Sequence, residues 1–164
     1  MTIIVEDGTG VTSANSYATV AALLAHSDTY QMGLCASDVE AEAVLLRAQE
    51  WIHYKYGNKL KGSKVSSTQA LDFPRAGVYI DGEYKASNVI PREVIYAQLN
   101  KAIEFISPEL FLTDRVAIAS EELDGVFKVV YANSGKVLPV SAFARAETLL
   151  SSYLNPAGFI AVRS

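Results

Sequence analysis

The chain has one cysteine, Cys35, which excludes an intrachain disulfide and any cysteine-based zinc site. It has two histidines, His26 and His53, and neither stands in an H-E-x-x-H or other metal-ligand spacing. Both are expected in structural or surface roles. No apolar run is longer than a few residues, so no transmembrane helix is expected. The N-terminus lacks a basic stretch followed by an apolar one, so no secretory signal is expected. The expected setting is a reducing cytoplasm, or a particle assembled in one. Positive charge is the minority: 14 Lys and Arg against 18 Asp and Glu leave a net charge of −4. Non-specific affinity for nucleic acid comes mostly from neutralised phosphates, which argues against tight binding by the chain as a whole.

Motifs of catalysis are scarce as well. There is no G-x-x-x-x-G-K-[ST] loop and no G-x-S-x-G elbow. Asp7-Gly8-Thr9-Gly10 is better read as a turn than as a phosphate loop, because a lone G-x-G is a weak signal. Cys35 has no basic neighbour to activate it and reads as a small core or interface residue. Glu121-Glu122 and the carboxylates after Ser37 read as solvated faces. No enzymatic activity, catalytic residue, cofactor or metal is expected.

What is present is an ordinary globular composition, 50% hydrophobic and 20% charged over 164 residues, enough for one domain with a core. Residues 1–154 are expected to form that domain, with 155–164 as an extended tail. Thr19 is a plausible cap for a helix from Val20 to about Tyr30, ended near Gly33. Ser37 with Glu40 forms a capping box for a second helix. Val44, Leu45, Ala48, Trp51, Ile52 and Tyr56 make its apolar stripe, and Gly57 is its expected C′ stop. A third helix runs from Pro91 to about Ile106. Phe143, Ala146, Leu149, Leu150 and Tyr153 mark a fourth, after a cap at Ser141 and before the Asn155-Pro156 stop.

Short β elements fall between these helices. Val78–Ile80 and Glu83–Lys85 flank an Asp81-Gly82 turn. Residues 115–120 and 126–132 suggest a second hairpin around Leu123-Asp124-Gly125. Ile3-Ile4-Val5 is β-prone, and Ser67 could cap one helical turn through Leu71. The predicted fold is α+β, mostly α: a small bundle of about four helices with an inserted β-hairpin and short β segments.

Two stretches carry the expectation of a partner. Lys59, Lys61 and Lys64, with Gly62 among them, read as an exposed, mobile basic loop near Trp51, Tyr54 and Tyr56. Basic and aromatic residues so interleaved can bind single-stranded nucleic acid, but Trp51 and Tyr56 lie on the stripe assigned to the core, which favours a solvated loop. The tail holds Phe159, Ile160, Val162 and Arg163 beyond a proline stop, and apolar residues of β type there point to a partner's sheet edge or groove.

Several segments together resemble a known family. These are Val5-Glu6-Asp7-Gly8-Thr9-Gly10 with Ala14-Asn15-Ser16-Tyr17, Leu46-Arg47-Ala48 with Tyr56-Gly57, and Ile90-Pro91-Arg92. The most specific is Lys61-Gly62 followed by Gln69-Ala70-Leu71-Asp72-Phe73-Pro74-Arg75-Ala76-Gly77-Val78. The pattern resembles bacteriophage structural proteins often labelled DnaT-like single-stranded DNA-binding proteins, similar in size and layout to tailed-phage head–tail adaptor (head-completion, neck) proteins. The resemblance spans almost the whole chain, and the first helix departs from it by lacking a Glu to complete a capping box. It implies a homo-oligomeric ring, dodecameric by analogy, bound to the portal protein and to tail or tail-terminator proteins. Genomic DNA would pass through its channel without sequence-specific binding. The virion neck, assembled in the bacterial host cytoplasm, is the implied location, and a single-stranded DNA-binding replication accessory is the alternative.

Overall fold

A computed structural model describes residues 2–29, 37–106, 120–123, 127–130 and 143–155. In chain order the helices are α1 (Val20–Thr29), α2 (Asp38–Tyr56), α3 (Arg92–Ile106) and α4 (Phe143–Ser151). A 3-10 turn, Gly57–Lys59, follows α2. Three antiparallel two-stranded ladders complete the described elements: β1 (Ser63–Lys64) with β2 (Arg75–Ala76), β3 (Tyr79–Ile80) with β4 (Glu83–Tyr84), and β5 (Ser120–Leu123) with β6 (Phe127–Val130). The fold is α+β, mostly α, as the sequence predicts.

Helix α2 begins where its cap requires: Ser37 is extended and its side chain accepts the Glu40 amide at 3.3 Å. Its end differs from expectation. Gly57 has helical dihedrals, φ −47° and ψ −42°, and opens the 3-10 turn instead of adopting a left-handed stop. The absence of a side chain there serves a close approach, since a Cβ would lie 3.2 Å from Asp72 Oδ2 and 3.3 Å from His53 Nδ1. The Asp-Gly hairpin forms as predicted, with φ +53° at Asp81 and +81° at Gly82, and Tyr79 opposite Tyr84. In the later hairpin the first strand is Ser120–Leu123, so Leu123 pairs with Phe127 instead of belonging to the turn. The Ile3–Val5 run makes a bridge from Val5 to Ser16 and no strand. No helical turn follows Ser67; the segment is held by Gln69, whose Oε1 accepts the Ser66 amide at 2.9 Å. Cys35, Gly33, Ser141 and residues 156–164 lie outside the described residues.

Two apolar clusters meet around α3. One gathers Tyr17, Ile52, Phe73, Val94 and Leu150, and the other Leu23, Leu45, Ala48, Leu99 and Ile103. Between them lies Gln98, fully buried. Its Oε1 accepts the Tyr17 amide at 2.8 Å, and its Nε2 donates to Ser16 Oγ at 2.8 Å and to Leu45 O at 2.9 Å. An amide in apolar surroundings is tolerated because its donors and its acceptor are all paired.

Candidate interaction surfaces

The Gln69–Val78 segment is interior. Phe73, Asp72 and Gln69 are buried, and Gln69 Nε2 donates to Leu71 O at 2.9 Å and Pro74 O at 3.0 Å. The Phe73–Pro74 peptide bond is cis. Tyr17 packs edge-on against Phe73, with ring centroids 6.4 Å apart, and its hydroxyl accepts the amides of Asp72 and Phe73. Burial and the nearby Asp72 and Glu6 carboxylates push the Tyr17 phenol above its ordinary value, against the opposing pull of those amides. Asp72 in turn accepts His53 Nδ1 at 2.8 Å and lies 3.7 Å from Lys64 Nζ.

Arg75 fastens this segment to the preceding one. Its Nε donates to Lys61 O at 2.7 Å, and its Nη2 to Gly62 O at 2.7 Å and Leu60 O at 3.4 Å. The basic stretch is therefore tied to the domain by these hydrogen bonds, while Lys59 and Lys64 stay exposed as expected. Lys61 is half-buried and donates to Ser152 O at 2.8 Å, and Lys64 sits in β1 against Asp72. Lys59 is exposed, without a side-chain partner among the described residues. The three lysines do not form one cationic face, because loop backbone and a buried carboxylate take up two of them. Phe159, Ile160, Val162 and Arg163 fall outside the described residues.

Trp51 is also not where the helical stripe predicts. It is half-buried at the edge of the core, within a column of alternating cations and rings drawn from α2 and α3. Arg47 lies 4.5 Å from the Phe105 ring centre, and Lys101 Nζ lies 4.8 Å from Phe105 and 4.7 Å from Trp51. Lys55 Nζ lies 5.1 Å from Trp51. Two acids compensate these charges: Glu104 is 3.2 Å from Lys101, and Glu147 of α4 pairs with Lys55. Desolvation depresses the Lys101 ammonium below its ordinary value, opposed by Glu104. The column ties α2, α3 and α4 together. Its rings already have cations for neighbours, so it offers bases little room to stack.

A different surface lies beside the Asp-Gly hairpin. The rings of Tyr79 and Tyr84 pack edge-on 5.5 Å apart and are 60% and 53% exposed. The next residue, Lys85, opens a cleft of about 220 Å³ lined by Ala86, Val89, Pro91, Glu93 and Tyr153. Val89 is 55% exposed on its wall. Tyr153 OH donates to Glu93 Oε2 at 2.9 Å, and Glu93 Oε1 has no partner among the described residues. The tyrosine pairing follows from the hairpin register, one pair out from Ile80 and Glu83 on either side of the Asp81-Gly82 turn. The cleft is not readable from the sequence, since Tyr153 reaches it from the turn after α4, 60 residues beyond Glu93.

A family model described as "Putative DnaT-like ssDNA binding protein" matches residues 1–164. The chain belongs to this family. The membership covers the motif segments just described, from the Val5–Tyr17 stretch to the Gln69–Val78 interior. No curated protein and no solved structure matches the chain. Among the described residues no group of three or more His, Cys, Asp or Glu is placed to hold a metal ion. No described helix is long and apolar enough to cross a membrane. His26 is buried against Asn100, with Nε2 and Oδ1 3.2 Å apart, and His53 is half-exposed on Asp72.

Proposed function

We propose that the protein is a structural subunit of a tailed-phage neck. In this reading it forms a homo-oligomeric ring that joins the portal to the tail and extends the DNA channel. The observation that carries it is the internal engagement of the cations. Lys55, Lys61, Lys64, Lys85, Arg75 and Lys101 are each held by a carboxylate, a carbonyl or a ring of the same chain. A surface so neutralised lets DNA pass without adhering, whereas a single-strand binder needs free cations beside open rings. The exposed Tyr79–Tyr84 pair also supports assembly, because tyrosine is enriched where proteins meet. The resemblance through Gln69–Val78 supplies the portal and the tail or tail-terminator proteins as partners. No catalytic role or cofactor is part of the proposal.

The test is the composition of purified virions. The protein should be present at ring stoichiometry and map to the neck. Deleting residues 156–164 should abolish ring formation or portal attachment while leaving helical content unchanged. A protein absent from virions would overturn the reading.

The family description favours a second reading, a single-stranded DNA-binding replication accessory. It requires affinity for single-stranded oligonucleotides that falls steeply with salt and with Lys59, Lys61 and Lys64 replaced by Ala. Absence of binding at low ionic strength excludes it.

A further inference from the structure

The cleft beside the Tyr79–Tyr84 hairpin combines two properties that define an occupant. Its walls are largely apolar, from Ala86, Val89, Pro91 and the Tyr153 ring. Its polar side is a carboxylate, Glu93, held in position by the Tyr153 hydroxyl through one oxygen, with the other oxygen free to accept. Lys85, also in the lining, has its Nζ 3.4 Å from the Glu83 carboxylate of the hairpin. A site of this kind suits an apolar peptide segment that carries one basic side chain: side chains fill the walls and the cation meets Glu93.

The chain contains such a segment. Beyond Asn155 the sequence reads Pro156-Ala157-Gly158-Phe159-Ile160-Ala161-Val162-Arg163-Ser164, with three large apolar residues, one arginine and no acid. Asn155 is fastened to the 3-10 turn and the residue after it: its amide donates to Lys59 O at 2.8 Å and its side chain to Leu60 O at 3.2 Å. We infer that the cleft and the tyrosine pair are the docking surface for residues 157–163 of a second copy of the chain, with Arg163 on Glu93 and Phe159, Ile160 and Val162 against Val89 and the tyrosines. This inference rests on the self-association in the neck reading and names the surface that receives the segment. A segment of one copy seated on a different surface of the next is a heterologous contact, which closes into a ring when the rotation permits.

The experiment is a charge exchange on the full chain, read by sedimentation velocity, with circular dichroism confirming the fold of each variant. Glu93→Arg and Arg163→Glu should each weaken self-association about tenfold or more. Mixing the two variants should restore it, because each then offers the segment that the other's cleft accepts. Restoration in the mixture, with the double variant restored as well, supports contact between copies. Association restored in the double variant but not by mixing would place the segment in its own chain's cleft and overturn the inference. So would a wild-type chain that stays monomeric at every concentration, or association indifferent to Glu93→Arg. Val89→Asp, which leaves the acidic partner intact, should weaken association by a similar factor; unchanged association there also counts against it. Neck rings that assemble normally with Glu93→Arg would overturn this surface while leaving the neck reading in place. A protein missing from virions whose swapped variants still complement would do the reverse.

Discussion

The Tyr17 hydroxyl accepts the Asp72 amide hydrogen at 3.1 Å, joining the N-terminal segment to the interior turn across 55 residues. The same oxygen accepts the Phe73 amide at 3.2 Å, so one phenol satisfies two buried donors. Tyr17→Phe keeps the ring packing and removes only that acceptor. We expect a loss of about 1–3 kcal/mol in urea unfolding, the usual cost of stranding a buried polar group. A change near zero would show that other groups take over the two amides.

The same phenol makes stability depend on alkaline pH. Its folded-state value is raised above the ordinary 10, chiefly by burial, while the unfolded chain ionises normally. The stabilisation is complete below pH 10 and is lost as pH rises from there towards the folded value. The expected slope for this group is about 1.4 kcal/mol per pH unit. Tyr17→Phe should flatten that part of the stability profile, measured by denaturation between pH 9 and 11.

Gly62 and Gly77 separate backbone strain from collision. Both have positive φ, +70° and +73°. A Cβ on Gly77 would meet nothing within 4 Å, whereas one on Gly62 would lie 2.2 Å from Ala76 O and 2.9 Å from Val78 Cγ2. Gly77→Ala should cost about 1–2 kcal/mol, the left-handed penalty alone. Gly62→Ala should cost clearly more, because β2 must shift away from β1. Equal losses in thermal unfolding would mean that the two strands separate easily.

Trp51→Ala should cost about 1–3 kcal/mol, below the ~3–5 kcal/mol typical of a wholly buried aromatic. The ring is only partly buried, but its removal also leaves Lys101 without one of its two rings. A double-mutant cycle with Phe105→Ala should give a non-additive term, since both rings share the Lys101 ammonium. Strict additivity would show that the column is incidental packing.

Gln98→Leu preserves volume and removes three hydrogen bonds. The Tyr17 amide, Ser16 hydroxyl and Leu45 carbonyl would lose partners in the interior, at a cost of about 2–4 kcal/mol. Hydrogen exchange at the Tyr17 amide is the direct readout and should accelerate more than exchange at the centre of α2.

Local signals made much of this architecture legible. Ser37 with Glu40, the Asp81-Gly82 pair and Pro91 each determine structure within a few residues, and the helices and hairpin form where they predict. The Gln69–Val78 stretch stood out by its composition, yet its role depends on Tyr17, His53 and Lys64, which no local rule connects to it. Trp51 was misplaced for a related reason. Helical periodicity sets a face but not how far a neighbour covers it, and α3 supplies Lys101 and Phe105 at the edge of that face. Lys61 and Lys64 read as free because the carbonyl of Ser152 and the carboxylate of Asp72 are distant in sequence. The Glu93–Tyr153 cleft is entirely a product of tertiary packing.

The end of α4 clasps the turn after α2: Leu60 bridges Leu154, the Lys61 amide donates to Tyr153 O at 2.8 Å, and the Asn155 amide donates to Lys59 O. No fragment ending after α3 can therefore be a complete folding unit. It would leave Leu60, Phe73 and Tyr56 facing water where Leu150 and Tyr153 belong. During synthesis the first two-thirds of the chain must wait for its last helix, and a ribosome stalled before residue 143 would present a sticky, unfinished surface.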